Sequence, residues 1–177
     1  MLINKIMKMT RPGLLRWSLA ALLLGLISAQ AMLLGPGKAY ACYGPKIFIG
    51  VAADPGEQAF YEMVSLYVKE KTGVDTVAVP LEGDSPLEAL RKNRVDMAFV
   101  YGEPAEFTPL VAAVGTPLLV SDRRPLEDLQ FTTVPRALRR LDGLLSPEIL
   151  QGLVEQVKGG EPPAAAARAL LMRHRWI

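Results

Sequence analysis

Apolar and polar positions divide the chain into one long apolar stretch near the N-terminus and a body of short apolar runs alternating with amphipathic segments. Ile47-Phe48-Ile49-Gly50-Val51 is a continuous apolar run, the pattern of a strand buried on both faces. A helix is predicted next. Asp54 can cap it, Pro55 sits where a missing N–H costs nothing, and Glu57 falls three residues after the cap. Phe60, Met63, Val64, Tyr67 and Val68 then form one apolar stripe, and Gly73 ends the helix where a left-handed residue is wanted. Val74 to Leu81 reads as a second strand with Val77 and Val79 on one face. Ser85-Pro86-Leu87-Glu88 repeats the cap, proline and acid, starting a short helix that runs to about Lys92. Val95 to Tyr101 supplies a third strand and Pro117 to Ser121 a fourth. Strand, helix, strand, helix, strand predicts a parallel sheet with crossover helices. Three helices follow. The first spans Pro135 to Leu141 with Arg136, Arg139 and Arg140 on its wet side. The second starts at Ser146-Pro147-Glu148 and carries an Ile149, Leu150, Leu153, Val154 and Val157 stripe. The last runs from Pro162 or Pro163 to about Trp176.

The N-terminal stretch changes the picture of where the protein works. Lys5, Lys8, Arg11 and Arg16 form a basic leader without an acid, and Trp17 to Leu34 is apolar apart from Ser18, Ser28 and Gln30. Gly35-Pro36-Gly37 breaks any helix, and Ala39-Tyr40-Ala41 has the small-x-small pattern of a signal-peptidase site, with Ala29-Gln30-Ala31 as a second candidate. Residues 1–41 therefore read as a signal peptide, or as an uncleaved membrane anchor, since the apolar run approaches the roughly 17–25 residues that span a bilayer. Either way the body, residues 42–177, is expected to be exported, in the periplasm or on the outer face of the cytoplasmic membrane. Cys42, the only cysteine, follows the cleavage pattern directly and is a candidate lipidation site. An ordinary free thiol near a processed end is the plainer reading, because Ala39 stands where lipidation signals favour Leu.

Charge follows the same division. Five of the twenty Lys and Arg lie at or before Lys38, and none of the eighteen Asp and Glu do, so residues 42–177 carry a formal net charge of −3. No basic patch interleaved with aromatics remains, which argues against nucleic acid as a partner. The body has the length of one domain with room for one core.

Ligands of open parallel sheets bind outside the carboxyl ends of the strands. Three segments converge there: Ala52 to Glu57, Glu82 to Ser85, and Tyr101 to Glu106. Asp54, Glu57, Glu82, Asp84 and Glu103 would attract a cation, with Tyr101 offering its ring face and Ser85 a hydroxyl. Capping alone accounts for Asp54, Glu57, Ser85 and Glu88, whereas Tyr101 and Glu103 have no such local explanation. Catalysis finds no support. The single histidine, His174, lies between Arg173 and Arg175, and one cysteine with one histidine assembles neither a metal site nor a nucleophile–base pair. No glycine-rich phosphate or dinucleotide motif occurs, so no cofactor is implied and the chain does not read as an enzyme.

Two stretches carry a resemblance. Lys46 to Tyr101 contains KIFIGVAADPGEQAFYEMVSLYVKEKTGV and SPLEALRKNRVDMAFVY, and Val134 to Ile177 reads VPRALRRLDGLLSPEILQGLVEQVKGGEPPAAAARALLMRHRWI. In order and capping they resemble the substrate-binding proteins of glycine betaine, choline and related osmoprotectant ABC transporters, over roughly 100 residues. The resemblance implies a three-layer lobe of a type II periplasmic-binding-protein-like fold, a quaternary ammonium or other small cationic or zwitterionic solute as ligand, and a membrane permease as partner. Asp96 looks like the family's acid before the third strand. Three departures stand beside it. The second lobe is missing, because the chain passes from strand three through a short connector straight to Pro117. The body has one tryptophan, Trp176, where the family builds an aromatic cage, and Val100 replaces the acid that often precedes the Tyr-x-Gly-like turn. The implied half-cleft suggests a homodimer that rebuilds the site. The alternative is a lobe that has lost ligand binding and serves as a protein-interaction module in the cell envelope.

Overall fold

The computed structural model describes residues 44–102, 105–112 and 117–177. The chain divides into two units, Met1–Cys42 and Tyr43–Ile177, and every described residue belongs to the second. The predicted leader, its cleavage patterns and Cys42 lie outside the described residues.

The first strand, β1, spans Lys46–Val51, and the first helix, α1, spans Pro55–Thr72. Then come β2 (Asp75–Pro80), α2 (Pro86–Arg91) and β3 (Met97–Val100). The alternation expected from the apolar runs is present. β1 pairs in parallel with β2 along its whole length, and with β3 through Ile49 and Gly50.

The sheet is not wholly parallel. A short strand absent from the sequence reading, β4 (Thr108–Val111), precedes β5 (Leu118–Ser121), the predicted fourth strand. The order is β2-β1-β3-β5-β4, with β5 antiparallel to both neighbours. The reason is geometric. A link as short as the one from Val111 to Leu118 can only reverse the chain, whereas a parallel return needs a crossover of a dozen or more residues. Four of the five strands therefore share one direction.

Helices cover both faces, giving three layers. On one face Ile47, Ile49, Met97, Phe99 and Leu119 pack against α1, and against α4 (Thr133–Asp142), α5 (Pro147–Lys158) and α6 (Pro163–Arg173). On the other, Ala98, Val100 and Val120 meet Ala89 and Leu90 of α2. This second cover is thin, and Phe48 stays 38% exposed. A short α3 (Arg124–Glu127) and a 3₁₀ turn at Leu129–Phe131 lead into α4. Neither shows an apolar period long enough to be read from sequence.

α1 is buried more widely than its predicted stripe. Ala59 and Tyr61 are enclosed together with Phe60, Met63, Val64, Tyr67 and Val68, because the sheet lies on one side and three helices on the other. Gly73 closes α1 at φ 75°, its N–H donating to Lys69 O at 2.9 Å, as the sequence predicts. The last helix stops earlier than expected, at Arg173. There Arg175 turns left-handed at φ 57° and the Trp176 N–H reaches back to Leu171 O at 2.9 Å. That is a Schellman-type stop without glycine, and it seats Trp176 against the core.

The amino ends of the strands are held by one buried carboxylate. Asp96, 7% exposed, accepts from the Phe48 N–H at 2.7 Å and from Arg124 Nη1 at 2.6 Å. Arg124 also donates to Lys46 O at 3.1 Å and lies 5.0 Å from the centre of the Phe131 ring. The acid before strand three is thus a clasp joining β1, β3 and α3. Asp96→Ala is expected to destabilise the fold by about 2–3 kcal/mol, because an amide and a guanidinium lose their acceptor together. Asp96→Asn, which keeps an acceptor for Phe48, is expected to lose less; urea unfolding of the two variants measures the difference.

Candidate functional site

At the carboxyl end of β1 the chain must leave the sheet and enter α1 within three residues. Asp54 takes an extended conformation (φ −79°, ψ 129°), and its Oδ1 accepts from the Glu57 N–H at 3.0 Å. Pro55 occupies the first helical position, as predicted. Glu57 departs from the expected capping box. Its Oε2 accepts from the Ala52 N–H at 2.9 Å instead of the cap residue's own amide. The carboxylate therefore reaches out of the helix to brace the strand end, and it is only 5% exposed.

Tyr101 follows β3 and projects into the same region. It is 76% exposed, and Gly102 beside it turns at φ 89°, a conformation that favours glycine. Asp54, Glu57 and Tyr101 line a hollow of about 140 Å³ together with Phe60, Pro117 and the α5 residues Leu150, Leu153 and Val154. Gly56 keeps it open, since a β-carbon there would stand 2.9 Å from Asp54 Oδ1 and 3.6 Å from Val154. Burial, the Ala52 amide and Asp54 act together on Glu57. Burial dominates and, with repulsion from Asp54, raises its pKa above the usual carboxylate range despite the opposing hydrogen bond. The Tyr101 hydroxyl is also pushed up, first by partial burial and then by the Glu57 and Asp54 charges.

The other predicted site residues fall elsewhere. Glu82 lines a separate pocket of about 480 Å³ between the ends of β1 and β2, α1 and the start of α6. Ser85 stands at the start of α2 with no side-chain capping bond, contrary to expectation, and it lines neither pocket. Its presumed capping partner Glu88 pairs with Lys92 at 3.4 Å, one turn along the exposed face. Asp84 is taken by Arg94 at 2.6 Å, which removes it from the acids free to meet a cation. Glu103 lies outside the described residues. No group of three or more His, Cys, Asp or Glu able to hold a metal exists among the described residues, and no described helix is long and apolar enough to cross a membrane.

Sequence reasoning missed the α5 side of the hollow. Leu150, Leu153 and Val154 read as a helix stripe, and their periodicity does not say that α5 docks against the first turn of α1. It also missed Glu62, which lines the larger pocket. An acid between Tyr61 and Met63, two residues of the buried face, was the available signal. Searches of protein-family models, curated proteins and solved structures find no match to this chain.

Two outcomes test this geometry. Asp54→Ala removes the α1 cap and is expected to cost about 1 kcal/mol, within the roughly 0.5–2 kcal/mol range of such caps, by urea unfolding. Glu57→Gln keeps an acceptor for Ala52 while removing a desolvated charge. Because the native pKa of Glu57 is raised, the native state binds its proton more tightly than the unfolded chain. The group's contribution is therefore most favourable at low pH and is lost as pH rises through the native pKa. The variant's thermal midpoint is expected above the parent's at pH 7, the gap closing as the pH falls through the carboxylate range.

Proposed function

We propose that this chain is an extracytoplasmic solute-binding lobe of an ABC-type transport system, with a quaternary ammonium or other small cationic or zwitterionic solute as ligand. The observation that carries the reading is the meeting of Asp54, Glu57 and the exposed Tyr101 ring at the carboxyl ends of β1 and β3. A quaternary ammonium cannot donate hydrogen bonds. It is held by negative charge and by an aromatic face, worth about 0.5–1 kcal/mol at an exposed site. Neither Asp54 nor Glu57 forms an ion pair with a described Lys or Arg, and the exposed Asp54 is the charge a cation reaches, with the buried Glu57 behind it. The basic, apolar leader supports export, and the motif order of 46–101 and 134–177 supports the osmoprotectant-binding resemblance.

The hollow is smaller than the roughly 300–1,000 Å³ of ordinary ligand pockets. One lobe thus offers half a cleft, and a second copy of the chain or the permease supplies the other wall.

Thermal-shift titration of the full chain with choline, glycine betaine, carnitine, proline and polyamines tests the proposal. Native-state binding raises stability by RT ln(1 + [L]/Kd), about 2.7 kcal/mol at a hundredfold excess over Kd. A saturable shift for a quaternary ammonium, lost in Tyr101→Ala, is the expected result. No shift for any of these solutes up to millimolar concentration overturns it and favours the envelope-docking module instead.

A further inference from the structure

The 480 Å³ pocket shares no lining residue with the Asp54–Tyr101 hollow. Its volume falls within the range of small-molecule sites. Val51, Ala78, Pro80, Leu81, Pro162 and Pro163 give it largely apolar walls. Into this surface α1 turns Glu62, which is partly buried and makes no hydrogen bond or ion pair with any described residue. Burial raises its carboxyl pKa above the ordinary range. Glu82 adds a second carboxylate and Gln58 an amide, and no Lys or Arg lines the pocket.

A carboxylate held against an apolar wall without a partner carries a desolvation cost. The occupant that relieves it has an apolar body for the proline-rich walls and a positive charge for Glu62. A primary ammonium suits better than a quaternary one, because a bare carboxylate accepts the hydrogen bonds that an –NH₃⁺ donates and charge-assisted bonds are the stronger kind. An anion would face two carboxylates and no cation. The geometry points to a second ligand site in this pocket, one that binds a primary amine with an aryl-sized apolar body and uses Glu62 as counter-ion. It is independent of the transport reading and of the Tyr101 hollow.

The test is a titration of phenethylammonium and its neutral counterpart phenethyl alcohol into the full chain, followed by amide ¹H–¹⁵N shifts. The expected result is saturable perturbation centred on Ala53, Glu62 and Ala164 with millimolar or tighter affinity, the ammonium binding at least about tenfold more tightly than the alcohol. Glu62→Gln is expected to bring the ammonium down to the level of the alcohol, and Tyr101→Ala to leave both unchanged. The comparison of the two probes on the unaltered protein stands even if a variant misfolds. Equal affinity for the two probes, unchanged affinity in Glu62→Gln, loss of binding in Tyr101→Ala, or no saturable shift at about 10 mM each overturns the assignment.

Discussion

The structure depends on the two-sided burial of α1. Its Phe60, Met63, Val64 and Tyr67 are 3% exposed or less, with the sheet on one side and α4, α5 and α6 on the other. Burying side chains of this size contributes about 1.5–3 kcal/mol each, and the same helix supplies both walls of contact. The Phe60 and Phe99 rings, 5.0 Å apart, join helix to central strand. Moving α1 would uncover the sheet and three helices at once. It would also move Asp54, Glu57 and Glu62, which α1 and its cap carry. Core and candidate sites thus hang on one element.

The two ends of the sheet solve opposite electrostatic problems. At the amino ends charge is neutralised: Asp96 is buried, but Arg124 and a backbone amide satisfy it, and the same guanidinium caps a carbonyl of β1. Such a clasp ties β1, β3 and α3 together. At the carboxyl ends Asp54, Glu57, Glu62 and Glu82 gather without a described cationic partner, beside an exposed tyrosine. Asp84, at the same ends, is paired with Arg94.

The short return through β4 and β5 sets the limit of that face. β4 pairs antiparallel with β5 at the edge of the sheet, and Asp142 of α4 accepts from the Ala112 N–H at 2.6 Å.

Much of the architecture follows from sequence alone, because it rests on local physics. Apolar runs, helix period, and the Asp54-Pro55 and Ser146-Pro147 starts mark where β1, α1 and α5 begin. Gly73 marks where α1 ends. These signals act within a few residues, and folding does not override them. They also pick out Asp54, Glu57 and Tyr101, since strand ends can be read from strand boundaries. The tertiary structure decided what depends on distant partners. Four-residue β4 became a strand only because β5 lies beside it. Ser85 lost its capping bond, and Glu57 exchanged its own for the Ala52 amide, a neighbour across the strand end. Asp84 was neutralised by Arg94, while Glu62 was left unpaired in a pocket built from four separate elements. Pairing and burial between residues far apart in the chain depend on where the backbone places them, and no local pattern encodes that placement.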